Sequence, residues 1–288
     1  MRRILELVTA GMMISGLQTA TAFESVSPLQ SLQTADDNRG WEAVGRLNFS
    51  NVAYCTGALI EEDLVLTAAH CLYNKNTGEK FKAEDIEFLA GWRNGRAAAY
   101  RGVSRVVTHP DFTYSADDRV SRVAHDLALL RLDQPIRNAS ITPYEIDSRP
   151  RKGATVGVVS YARERSEAAS LQESCHVMAR QGGVLVLSCE VDHGASGSPI
   201  FVIEDGQAPE IVSIISAMAK IRDKDVALGT ALTKPLSVLQ AIIAAPEIEI
   251  EPGLPTEIAV SRNLPMVRKI TGFGNSGAGG AKFLKPEN

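Results

Sequence analysis

Between Val44 and Ala231 the apolar residues arrive in short runs separated by turn residues. In the first half the runs are Val44–Phe49, 53–60, 64–66, Ile86–Ala90, 97–103, 106–107 and 126–132. The second half continues with 154–161, 176–179, 184–188, 199–203, 211–218 and 226–231. Runs of this length, broken by turns, predict strands of an all-β sandwich or barrel. The stretch 211–218 is almost wholly apolar and should be a central core strand. Helical spacing occurs at 235–244, through Leu236, Leu239, Ile242 and Ile243, and a short helical turn fits 68–72. The pattern divides into two β units, 41–135 and 136–245, each of ordinary domain size.

The ends read differently. Arg2 and Arg3, a mostly apolar stretch to Leu17, and Ala20-Thr21-Ala22 together make 1–22 a signal peptide. That apolar run is too short to span a bilayer, so no stable membrane insertion is expected. Residues 23–40 are polar and read as a propeptide or flexible arm. Residues 246–288 read as a partly disordered tail. Its Gly272-Phe273-Gly274-Asn275-Ser276-Gly277 matches G-x-G-x-x-G, but only eleven residues follow, so the helix and acid of a dinucleotide site are excluded.

An exported chain with four cysteines suggests two disulfides. Of the three pairings, Cys55–Cys71 and Cys175–Cys189 close short loops, each adding roughly 3 kcal/mol if unstrained. No C-x-x-C occurs and no histidines stand at i, i+4, so no metal ligands are assigned. The net charge of −4 argues against a nucleic-acid partner.

Three stretches carry chemistry. Gly194-Ala195-Ser196-Gly197-Ser198-Pro199 sets a serine between glycines, where a tight turn can project its hydroxyl. By itself this is an ordinary turn pattern. Thr67-Ala68-Ala69-His70-Cys71 and His125-Asp126-Leu127-Ala128-Leu129-Leu130 add a base and a carboxylate. With Cys55-Thr56-Gly57-Ala58-Leu59-Ile60, these stretches resemble the trypsin/chymotrypsin-like serine proteases, over roughly Trp41 to Ala245. The G-x-S-G-S-P form is similar to the bacterial, glutamyl-endopeptidase-like branch. The resemblance implies two six-stranded antiparallel β-barrels with the active site in the cleft between them, a C-terminal helix and an extra tail. It also implies a polypeptide substrate and no cofactor; we expect a monomer, secreted or periplasmic.

The roles follow from the chemistry. Ser196 attacks a peptide carbonyl and His70 takes its proton. Asp126 holds the imidazole tautomer and stabilises the imidazolium. The backbone N–H groups of Gly194 and Ser196 form the oxyanion hole, where one donor is worth about 3 kcal/mol. Ser216 resembles the serine that neighbours the catalytic aspartate, on a strand that pairs with substrate. Substrate contacts are expected from Glu190, Asp192, His193, Ser216, Ala217 and Met218. Glu190 or Asp192 could receive a basic P1 side chain, and Ala217 and Met218 narrow the pocket. Glutamyl endopeptidases usually carry a histidine where Ile215 stands, which speaks against Glu specificity. His109 reads as structural and His125 as solvent-facing.

Two departures stand out. The family's animal members begin with Ile-Val-Gly-Gly, whose amine pairs with an aspartate before the nucleophile. Here Ala195 occupies that position and no such start exists near Trp41. The alternatives to a peptidase are a catalytically silent binding module and an esterase using the same triad.

Overall fold

The computed structural model describes residues 26–246, apart from 117, 148, 149 and 205. The signal-peptide stretch 1–22 and the tail after Pro246 lie outside the described residues.

The chain enters through β1 (Gln30–Ser31) and then builds a closed antiparallel barrel. Its strands are β2 (Val44–Phe49), β3 (Ala53–Glu61), β4 (Leu64–Thr67), β5 (Ile86–Ala90), β6 (Ala99–Thr108) and β7 (Ala128–Leu132). Their order around the barrel is β2-β3-β4-β7-β6-β5, with β5 pairing back to β2. The runs at 97–103 and 106–107 are one strand, β6, with a register shift between Val103 and Arg105. Leu47, Phe49, Phe88 and Leu130 belong to its buried core.

A second barrel follows. It comprises β8 (Thr155–Ala162), β9 (Arg165–Gln181), β10 (Val184–Leu187), β11 (Pro199–Val202), β12 (Glu210–Ile221) and β13 (Lys224–Ala231). The order is β9-β10-β13-β12-β11-β8, and β8 closes on β9. The sequence-predicted strand 176–179 is thus only the end of β9. Most of β9 is polar at its start, and Ser170 and Gln172 are buried. Polar residues that find partners inside a barrel look like loop residues in sequence.

Residues 27–32 pack against this barrel, Ser27 through the Ser174 carbonyl and Leu32 through the Ala169 carbonyl. Gln30 and Ser31 pair with Leu171 and Ser170 of β9, and Leu32 is buried. The added strand covers an edge of β9 that β10 does not reach.

Two helices complete the described chain. α1 (Arg119–Ala124) begins at Asp118, whose carboxylate accepts the Val120 and Ser121 N–H groups at 3.0 and 3.3 Å. α2 (Thr233–Ala244) follows β13 and buries Leu236, Leu239 and Ile243. Arg105 of β6 donates to the Ile242, Ile243 and Ala245 carbonyls at the end of α2. A cation over the last carbonyls of the helix helps to satisfy them and complements the helix dipole. One guanidinium therefore docks the terminal helix onto the first barrel.

The disulfides are Cys55–Cys71 and Cys175–Cys189, with Cα separations of 6.2 and 5.0 Å. The first ties β3 to the short turn Ala69–Leu72, which carries His70. No described helix is long and apolar enough to cross a membrane.

Candidate active site

His70 stands on the turn after β4, held by the Cys71 disulfide on its C-terminal side. Asp126 lies just before β7 and is buried. Its Oδ1 accepts the His70 backbone N–H at 2.8 Å, and its Oδ2 faces His70 Nδ1 at 2.6 Å. A carboxylate only accepts, so Nδ1 carries the proton and the Nε2 lone pair is left to act as a base. Burial acts to lower the His70 pKa, but the charge and hydrogen bond of Asp126 outweigh it, and the net shift is upward.

The second barrel completes the setting of Asp126. Ser216 Oγ on β12 donates to Asp126 Oδ2. Thr230 Oγ1 on β13 donates to the Val123 carbonyl at 2.7 Å and reaches the Asp126 carbonyl at 3.4 Å. Side chains from the second barrel thus fix both the carboxylate and the backbone of a residue in the first.

The reverse link holds the serine turn. Thr56 of β3 donates its N–H to the Ser196 carbonyl at 2.9 Å and its hydroxyl to the Gly194 carbonyl at 3.1 Å. Thr67 Oγ1 donates in turn to the Thr56 carbonyl at 2.9 Å. Gly197 N–H bonds the Ile215 carbonyl at 2.8 Å. Two glycines allow this turn, with φ of 98° at Gly194 and 77° at Gly197. A Cβ on Gly194 would strike the Tyr54 ring, and one on Gly197 would strike Thr67 and the Thr56 carbonyl. Among the described residues, the N–H groups of Gly194 and Ser196 have no internal acceptor, so both are free to serve an oxyanion.

Ser196, His70 and Gly194 line one cleft of about 350 Å³, together with Tyr54, Tyr73 and Tyr114. A smaller cavity of about 170 Å³ opens beside Ser196. Val191, Asp192, His193, Ile215, Ser216, Ala217 and Met218 line it. Five of the six expected substrate contacts are therefore gathered there. Glu190 is the exception: its residue is exposed and is not among those lining the cavity. Its N–H is taken by Gln172 at 2.8 Å, which turns the backbone into the barrel wall at this point. Asp192 lines the cavity but already accepts the His193 N–H at 2.6 Å and pairs with Arg163 at 3.3 Å.

Sequence reasoning missed Thr56, Thr230, Gln172 and Arg163. Thr56 lay inside a quoted motif. The others are distant in sequence from the motif residues they serve, and only the closed barrels bring them together.

Ala195, in place of the aspartate that an ion-paired N-terminus needs, is fully buried. Its N–H bonds the Asp192 carbonyl at 2.9 Å, and its carbonyl accepts from Ser198 at 3.1 Å. The turn is held by backbone bonds, with no charge to neutralise.

Known proteins resemble this chain in sequence and in fold. Coagulation factor IX of Cavia porcellus is 32% identical over 114 residues, covering 38% of this chain and 35% of that protein. Glutamyl endopeptidase of Bacillus licheniformis is 24% identical over 153 residues, covering 53% of this chain and 46% of that protein. The matches thus span less than half the length of these curated relatives. The solved structure of a Glu endopeptidase in complex with MPD superposes with a TM-score of 0.62 at 16% identity, covering 76% of this chain and 97% of that one. It shares the fold. The sequence model of the family described as Trypsin matches residues 33–230, well over half of the chain, and the chain belongs to that family.

Proposed function

We propose that the protein is an exported serine endopeptidase that cuts polypeptides through an acyl-enzyme on Ser196. The observation that carries this reading is the Asp126 carboxylate. It is bound at once by the His70 backbone, the His70 ring and Ser216, beside a cleft that His70 and Ser196 share. That arrangement fixes an imidazole with Nε2 as the free base.

Ser196 Oγ attacks the peptide carbonyl carbon while His70 takes the hydroxyl proton. The Gly194 and Ser196 N–H groups receive the oxyanion. The C–N bond then breaks, and His70 returns the proton to the leaving amine. Water, deprotonated by His70, releases the acid and regenerates Ser196.

For the P1 residue we retain a preference for Arg or Lys. The cavity beside Ser196 is walled by Val191, Ile215, Ala217 and Met218, and Asp192 is its one carboxylate. Apolar walls suit an aliphatic stem, and the carboxylate suits its cationic end. The likeness to glutamyl endopeptidases supports the rival, an acidic P1. His193 is the one basic residue lining the same cavity. Export is supported by the signal-peptide reading and by the two disulfides.

The test is labelling by a fluorophosphonate serine probe on protein beginning near Phe23, with Ser196→Ala alongside. Labelling that disappears in the variant, with cleavage of a peptide library, supports the reading. Labelling with turnover of esters alone favours an esterase. Absence of labelling favours a binding module.

A further inference from the structure

Two histidines with no part in the proposed reaction meet at the C-terminal end of α1. His109 follows β6, and His125 ends α1. Their rings stack with centroids 5.0 Å apart and planes inclined by 26°. The Asp111 carboxylate stands at the open side, with Oδ2 4.0 Å from His125 Nε2. One ring nitrogen from each histidine and one oxygen of Asp111 all lie within 4.8 Å of one another.

The backbone holds this cluster in place. His109 N–H donates to the Leu127 carbonyl at 3.0 Å, and its carbonyl accepts from Phe112 at 3.0 Å. His125 Nδ1 lies 3.0 Å from the Ser121 carbonyl. A carbonyl cannot donate, so Nδ1 carries the proton and the Nε2 lone pair is presented toward Asp111. Metal-bound histidines are ordinarily fixed in this way, by the second ring nitrogen donating to a carbonyl or carboxylate. His109 is buried, whereas Asp111 is exposed and free to swing toward the rings.

We propose that His109, Asp111 and His125 bind a divalent transition-metal ion of the Zn²⁺ type. Two imidazoles and one carboxylate are borderline ligands that suit Zn²⁺ and its neighbours, whereas Ca²⁺ and Mg²⁺ require mostly oxygen. With bonds of about 2.0–2.1 Å, a tetrahedral ion closes the 4.0 Å gap between Asp111 and His125 by a small rotation of the exposed carboxylate. Water takes the fourth position from the solvent side. The Asp111 N–H donates to His109 Nδ1 at 3.2 Å, which ties the two residues of the same turn together. His109 and Asp111 are two residues apart and His125 is fourteen further on, a spacing that matches none of the metal motifs sought in the sequence.

The site has a consequence for turnover, and this part rests on the peptidase reading. His125 immediately precedes Asp126, so loading brings positive charge close to the carboxylate that stabilises the His70 imidazolium. Metal should therefore slow peptide cleavage, reversibly on chelation.

The experiment is Co²⁺ titration of the full chain followed by visible absorption, with Zn²⁺ bound at equilibrium dialysis as the second readout. One ion per chain and a d–d spectrum are expected. Both should persist in His70→Ala and be lost in His125→Ala. Asp111→Ala, at an exposed position, should weaken binding at least about ten-fold. The absence of stoichiometric binding overturns the site, as does binding that survives His125→Ala or vanishes in His70→Ala. Binding without any effect on turnover keeps the site and rejects only its link to the active centre. Circular dichroism of each variant separates a lost ligand from a lost fold.

Discussion

Gln172 bridges Ser27 and Glu190: its Nε2 donates to the Ser27 carbonyl at 2.8 Å, and its Oε1 accepts the Glu190 N–H at 2.8 Å. Gln172 is 1% exposed. Ser27 is tied a second time, through its N–H to the Ser174 carbonyl at 2.8 Å and its hydroxyl to the Ser174 N–H at 2.9 Å. Glu190 opens the segment that leads through Val191, Asp192 and His193 to the serine turn. One buried amide therefore connects the N-terminal stretch to the segment that leads into the wall of the cavity beside Ser196. Replacing Gln172 by Ala leaves two part-buried backbone groups, the Ser27 carbonyl and the Glu190 N–H, without this partner. Each lost hydrogen bond is worth about 0.5–1.5 kcal/mol net, so chemical denaturation should show a loss of about 1–3 kcal/mol. The cavity wall should also loosen, raising KM more than it lowers kcat. Gln172→Leu should behave like Gln172→Ala, because volume without hydrogen bonds does not restore the bridge. Unchanged stability in both variants would remove Gln172 from this role.

The pH dependence follows from His70. Burial pulls its pKa down and Asp126 pushes it up, leaving it above the ordinary 6.5. The neutral imidazole is the working base, so kcat/KM should rise with pH through an apparent value above about 6.5. In Asp126→Asn the upward contribution is gone while burial remains. The ring should then titrate below the ordinary value, as followed by NMR of the His70 protons, and turnover should fall by about 10⁴-fold. An acid limb that stays in place in the variant would mean that His70 does not set it.

Much of this fold was legible because alternation and turn residues marked most strands. Val44–Phe49 and Ile86–Ala90 match in full, since each has one face in the barrel core and clear turns at its ends. β9 was hidden because Ser166, Glu167, Ser170, Gln172, Glu173 and Ser174 look like a loop. Their partners, including Ser27, come from far along the chain. α1 was missed because six residues carry no readable helical period, and its capping Asp118 was the only local sign. At the site, His70, Asp126 and Ser196 sat in legible strings. Thr56 sat in one too, but its role and that of Thr230 could not be read, because their bonds exist only once two barrels are closed against each other.

The proposed preference for Arg or Lys at P1 requires Asp192 to divide its charge between Arg163 and substrate. Its pair with Arg163 is about half exposed on both sides. Exposed pairs are worth about 0.2–1 kcal/mol, so a substrate cation can compete for the carboxylate. Arg163→Ala should raise kcat/KM for Arg and Lys at P1, by up to about five-fold. Asp192→Asn should lower it by about 10–100-fold, the worth of a hydrogen bond to a charged group. Aromatic P1 substrates should change little in either variant. A P1-varied peptide series reads both, and an Asp192→Asn enzyme with undiminished basic preference would reject the carboxylate as the determinant.

Gly197 separates backbone conformation from crowding. Its φ of 77° disfavours any side chain, and a Cβ there meets the Thr67 hydroxyl and the Thr56 carbonyl. Gly95 has φ of 82° with nothing within 4 Å of an added Cβ. Both substitutions to Ala bear the left-handed cost of about 1–2 kcal/mol, but only Gly197→Ala adds overpacking of about 1–3 kcal/mol. The carbonyl it strikes belongs to Thr56, which holds the Ser196 turn, so the strain cannot be relieved without moving the nucleophile. Denaturation midpoints should therefore shift modestly for Gly95→Ala and substantially for Gly197→Ala. Probe labelling should persist in the first and fall sharply in the second, even at temperatures where both remain folded. Equal losses in the two variants would mean that backbone conformation alone explains the glycine, and that the contact with Thr56 does not constrain the turn.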